Sequence, residues 1–167
     1  MRSTPAAAAL LFLMCAVAPP AAGAAQIELD RIVSRVGGQI ITQSDIRRAR
    51  TLRLVDDVSS DQAAQRALET LMLILSELGR AAPLPPISDD DLATRRAGWT
   101  SAVGGEAKAE ALLAQQGMSR TELDAWLQDD LRVQAYLRRQ FGMLPEAERG
   151  RAISDWLSRL RQRSDLR

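Results

Sequence analysis

The sequence predicts a mainly α-helical fold that opens with one short β-hairpin and has its C-terminal tail as the candidate third strand. Three observations carry this. Strand-type residues cluster in one place, Arg31 to Thr42. Ser- or Thr-led capping signatures stand at Thr42, Ser59–Ser60, Ser88 and Ser119, each ahead of an apolar-periodic run. Within those runs the apolar residues recur at spacings of three and four, the period of a helix with one buried face.

In the chain of 167 residues, the first stretch reads as a targeting segment. Arg2 supplies a positive start. Ala6 to Val17 is an apolar run too short to span a bilayer comfortably, and Ala22-Gly23-Ala24 offers small residues for cleavage after Ala24 or Ala25. Residues 1–25 are therefore read as a Sec signal peptide, with an uncleaved membrane anchor as the alternative, and residues 26–167 as a single domain in an exported, periplasmic protein. A lipoprotein signal needs a small residue before the cysteine, whereas Met14 precedes Cys15. The only cysteine leaves with the signal, so the exported part has neither disulfide nor thiol nucleophile. Its roughly 140 residues suffice for one real core.

Arg31–Val36 and Gln39–Thr42 form the predicted hairpin, with Gly37-Gly38 supplying the positive φ angles of a two-residue turn. Thr42-Gln-Ser-Asp45 then opens a helix over about Ser44–Asp57, with Ile46, Ala49, Leu52 and Val55 as its buried stripe. A second helix spans about Asp61–Arg80. Leu68, Leu71, Met72, Ile74, Leu75 and Leu78 cover more than one of its faces, so it is either the centre of the core or a floor for something that binds. Pro83, Pro85 and Pro86 hold residues 81–88 extended. Ser88 caps a helix that carries Leu92 and ends near Trp99, with three carboxylates at the positive end of its dipole. After Gly104-Gly105 comes a short helix over Glu106–Gln116, closed by Gly117. Ser119 caps a long helix to Phe141, its inner residues Leu123, Trp126, Leu127, Leu131, Leu137 and Phe141. The last helix, 146–163, has Ile153, Trp156, Leu157 and Leu160 at i, i+3, i+4 and i+7, a stripe that requires docking on the body. Asp165-Leu166-Arg167 is the candidate third strand, since a lone hairpin is marginal in water.

Composition removes several chemistries. There is no histidine, so a Ser-His-Asp triad, a Cys-His pair and histidine metal ligands are excluded. Net charge is +1, and the basic residues are arginines apart from Lys108. Acids interleave with those arginines, and export removes nucleic acid as the usual target, so a mixed solvated surface is the reading. The carboxylate clusters Asp56-Asp57, Asp89–Asp91 and Asp129-Asp130 read as turn, cap and helix-surface pairs, Asp129 with Arg132 for instance. No phosphate loop and no G-x-S-x-G pattern occurs. No catalytic residue, metal or cofactor is expected.

The remaining signal is apolar. Met72, Leu75, Leu84, Ile87, Trp99, Met118, Trp126, Tyr136 and Met143 are the candidate groove residues, weighed against simple core packing. Methionines beside glycine breaks and aromatic side chains on helices suit an adaptable surface for extended polypeptide.

"DRIVSRVGGQIITQSDIRRARTLRLV", "ISDDDL" at Ile87–Leu92 and "LRVQAYLRRQF" at Leu131–Phe141, in that order after a signal, resemble the SurA-type periplasmic chaperones. Within that resemblance Ile41-Thr42-Gln43-Ser44-Asp45-Ile46 matches the opening of the first helix. The resemblance implies a helical chaperone core with a strand pair, and a C-terminal helix and strand that return to it. It also implies parvulin-type prolyl isomerase domains after the long helix. Here the returning helix follows Phe141 after a few residues, which leaves no space for a domain of on the order of 100 residues. The expectation is thus an ATP-independent chaperone core without isomerase activity, binding unfolded or extended exported or outer-membrane chains. No nucleic acid and no small-molecule substrate is expected. The alternative is an assembly subunit that binds one partner or forms a homodimer through the hairpin edge.

Overall fold

The computed structural model describes residues 30–81 and 86–165. The signal-peptide reading, Leu84, Leu166 and Arg167 lie outside the described residues. The chain runs β1 (Ile32–Val36), β2 (Gln39–Thr42), α1 (Gln43–Thr51), α2 (Asp61–Ala81), α3 (Asp89–Val103), α4 (Glu106–Gln115), α5 (Arg120–Phe141) and α6 (Glu146–Asp165). It is mainly helical, with a short antiparallel hairpin at the N-terminal end of the described chain.

The hairpin turns at Gly37-Gly38, whose φ angles are +58° and +86°. Val36 pairs with Gln39, Arg35 with Ile40 and Ser34 with Ile41, and the register shifts between Ser34 and Ile32, which pairs with Thr42. Thr42 ends β2 and caps α1 at once: its side chain accepts from the Asp45 amide, while Asp45 accepts from the Thr42 amide at 2.9 Å. Ser119 and Glu122 make the same reciprocal box at α5, and the Ser60 and Ser88 hydroxyls accept from the Ala63 and Asp91 amides.

Among the described residues the sheet has two strands. The expected third strand is corrected at Asp165, which belongs to α6. What covers the hairpin is α1 and α2. Ile41, Ile46, Ala49, Ala64 and Leu68 form one buried cluster, with Val33 and Val36 of β1 packed against it. The end of α6 also reaches the hairpin: Arg161 and Ser164 line a cleft with Ser34–Gly38.

The first helix is shorter than its stripe suggested. It ends at Thr51, where Arg53 takes φ +49° and the amides of Arg53 and Leu54 donate to the carbonyls of Arg50 and Ala49. This is a Schellman closure with arginine where glycine is usual. Val55 therefore lies beyond the helix, partly buried against the hairpin cluster. The α4 closure has the same hydrogen-bond pattern with Gly117 at φ +60°, and it brings buried Met118 back over buried Leu113. By contrast α3 is longer than expected. It passes Trp99 and stops at Gly104, because Val103 continues the buried stripe of Leu92 and Trp99.

At the centre is α2, packed against both strands and against α1, α5 and α6. Its apolar faces divide the work. Leu68 and Met72 meet the hairpin and α1, whereas Ile74 and Leu78 meet Val133 of α5 and the α6 stripe. The α6 helix docks as its sequence requires. Leu160 is 2% exposed, and Trp156 packs at a tilt against Tyr136 and edge-on against Phe141, with ring centroids 5.7 Å apart in each case. A further core joins α3, α4 and α5 around Trp99, Leu123 and Leu127. Two ion pairs fix α3 on α5, Arg95 to Asp130 at 2.7 Å and a two-pronged Arg96–Asp124 contact with both distances 2.7 Å.

Candidate functional site: an apolar groove between the hairpin, α2 and α5

The hairpin, α1, α2 and α5 converge on one groove of about 400 Å³. From α2 come Leu68, Leu71, Met72 and Leu75; from the hairpin Ile40 and Ile41; from α1 Asp45, Arg48 and Ala49. Leu54 joins from the loop after α1. Met118, Glu122, Ala125, Trp126 and Asp129, in the α4–α5 turn and on α5, form the opposite wall. The floor is mixed in a telling way. Leu68, Ile41 and Met118 are buried, while Leu71, Met72, Leu75 and Trp126 keep part of their surface open and Ile40 is 48% exposed. The over-apolar second helix is thus both core and floor. A second groove of about 370 Å³ lies along α2 and α5, lined by Leu54, Leu71, Ile74, Val133 and Leu137 among others. Leu54 and Leu71 line both grooves.

Of the nine residues singled out from sequence, Met72, Leu75, Met118 and Trp126 come together here. The others do not. Trp99 is 3% exposed, and its indole N–H donates to the Leu52 carbonyl at 2.6 Å, which makes it a sealed core residue. Ile87 packs, partly buried, against that same core. Tyr136 belongs to the aromatic contact that seats α6. Met143 is 97% exposed in the turn between α5 and α6 and lines no groove wall with them. Leu84 lies outside the described residues. The residues that sequence reasoning missed are Ile40, Leu71 and the polar rim. Leu71 was visible as a stripe residue; the rim is assembled by the tertiary fold alone.

The rim carries charge, and each acid on it is engaged by its own element. Asp45 serves the Thr42 cap, and Asp129 accepts from Arg132 at 2.7 Å. Glu122 accepts from the Ser119 amide at 2.7 Å and the Ser119 hydroxyl at 2.8 Å. Those bonds hold the Glu122 carboxyl below the ordinary carboxylate range, with a smaller pull from Arg48. Two other exposed carboxylates are lowered similarly: Asp30 chiefly by the Ser44 hydroxyl, Asp57 chiefly by the Ser59 hydroxyl. A carboxylate that ionises more easily when folded stabilises the fold fully above its unfolded pKa, about 4. That contribution is lost as pH falls through the lower folded value. The midpoint of thermal unfolding is therefore expected to drop between about pH 5 and pH 3, and to drop less in Glu122→Gln. A flat profile in the parent protein would show that these caps contribute nothing.

No family model, curated protein or solved structure matches the chain.

Proposed function

We propose that the protein is an ATP-independent, periplasmic peptide-binding chaperone core that holds unfolded exported or outer-membrane chains, with no prolyl isomerase activity. The observation that carries this reading is the groove itself. Leu71, Met72, Leu75, Trp126 and Ile40 leave an unsealed apolar strip flanked by polar groups. An apolar segment laid there is stabilised by about 25 cal/mol per Å² of apolar area removed from water. Ordering of both partners offsets much of that gain, so binding is weak and reversible, as a holdase requires. Methionine and leucine side chains adapt to varied partners at small energetic penalty.

The test mixes the purified protein with an unfolded β-barrel client that aggregates on dilution, followed by light scattering. Suppression at several-fold excess is expected, and its loss in Leu75→Asp with unchanged far-UV circular dichroism. No suppression at any ratio would sink the reading.

A second reading, an assembly subunit that pairs through its hairpin, is favoured by one observation. Ile32 is 51% and Ile40 48% exposed on a two-stranded sheet. Size-exclusion chromatography separates the two: a stable stoichiometric complex or dimer that buries these isoleucines favours assembly over transient holding.

A further inference from the structure

Beside the apolar groove lies an open pocket of about 710 Å³ of opposite character. Arg47, Arg48, Arg50 and Arg53 line it, with hydroxyl and amide side chains between them and no carboxylate. Two of these guanidinium groups have structural work. Arg50 pairs with Asp61 and donates to the Val58 carbonyl, and Arg53 donates to the Ala102 carbonyl at 3.1 Å. Among the described residues, Arg47 and Arg48 make no salt bridge. The α1 dipole favours cations in its last turn, yet a dipole alone does not converge guanidinium groups on one concavity.

Arg48 lines both the pocket and the apolar groove, so the two are neighbours across one side chain. The charges around them are asymmetric. The rim acids Asp45, Glu122 and Asp129 are each hydrogen-bonded within their own helix, whereas Arg47 and Arg48 form no salt bridge among the described residues and act on Asp30 and Glu122 only through space. We propose that this pocket receives carboxylate side chains of the same polypeptide segment whose apolar side chains fill the groove. The protein then selects apolar stretches with acidic residues beside them in sequence. This rests on the peptide-binding reading above.

The chemistry favours polypeptide over other polyanions. The pocket holds no aromatic side chain on which a nucleic-acid base would stack. Val58 is its one apolar residue, too little to embed in a lipid surface. Guanidinium forks match carboxylates in pairs of hydrogen bonds, and attraction between them is screened by salt.

The test uses fluorescence anisotropy of the mature protein with labelled peptides. Three share one apolar core, flanked on one side by Glu, by neutral polar residues or by Lys; a fourth has the Glu block without the core. The Glu-flanked peptide is expected to bind about tenfold tighter than the neutral one at low salt. That advantage shrinks as salt is added and disappears in Arg47→Glu, while the neutral peptide binds as before. Equal affinity of the Glu and neutral peptides, or preference for Lys, overturns the proposal and leaves the chaperone reading standing. Equal binding of the Glu block without its core makes the pocket a general anion site and overturns the coupling. Displacement of the peptide by anionic vesicles or single-stranded RNA at lower concentrations than unlabelled peptide overturns it as well. If no peptide binds, both readings fall.

Discussion

Trp99→Ala is expected to destabilise the protein by about 3–5 kcal/mol, the range for truncating a buried aromatic side chain to alanine. Trp99 sits where α3, α4, α5 and the loop after α1 meet, packed among Leu52, Leu54, Val103, Leu113, Leu123 and Leu127. Total stabilities of single domains are about 5–15 kcal/mol, so this one change removes a large share. The indole does two jobs. It fills the volume, and its N–H serves the Leu52 carbonyl at the end of α1, a group buried with the rest of the residue. Trp99→Phe separates them: most of the packing remains, and the orphaned carbonyl costs about 1–3 kcal/mol. Urea unfolding followed by circular dichroism measures both. A loss below about 1 kcal/mol for Trp99→Ala would place the side chain outside the core. Peptide binding by the Phe variant is expected to be unchanged, because Trp99 lies outside the groove.

Trp99 also marks where local pattern stops being informative. Trp99 and Trp126 both stand on capped helices, and the local sequence, with Leu123 and Leu127 beside Trp126 but Gly98 and Thr100 beside Trp99, does not mark Trp99 as the sealed one. Sealing is decided by what arrives from elsewhere, here Leu52 from a residue 47 positions away in sequence. The elements themselves were legible wherever the signal was local. Gly37-Gly38, the Thr42–Asp45 and Ser119–Glu122 boxes and the 153–160 stripe each specify structure within a few residues, and each is present. The end of α1 was illegible because Arg53 adopts a left-handed backbone that sequence normally advertises with glycine. For the site, the period-four rows of α2 pointed to Met72 and Leu75, while the arginines of α1 read as an ordinary solvated face. Only the fold shows that Arg48 adjoins that floor, with Arg47 in the pocket beside it.

The hairpin is the other place where packing replaced an expectation, and it gives the second large prediction. Its turn presses on α2. A Cβ on Gly37 would lie 2.6 Å from both Cβ and Oγ of Ser76, whereas one on Gly38 would meet nothing within 4 Å. Both residues have positive φ, so alanine at either carries backbone strain of about 1–2 kcal/mol. Gly37→Ala adds overlap worth about 1–3 kcal/mol, for a total near 2–5 kcal/mol, while Gly38→Ala stays at the strain alone. The difference between the two measures how firmly α2 holds the hairpin. Ser76→Gly removes the colliding Cβ, at a helix penalty of about 0.5 kcal/mol, and is expected to recover the overlap part of the Gly37→Ala loss. Equal losses at both glycines, with no recovery in the double variant, would mean that the turn floats free of α2. The groove wall at Ile40 and Ile41 would then have no fixed position, and client binding would have to draw on some other surface.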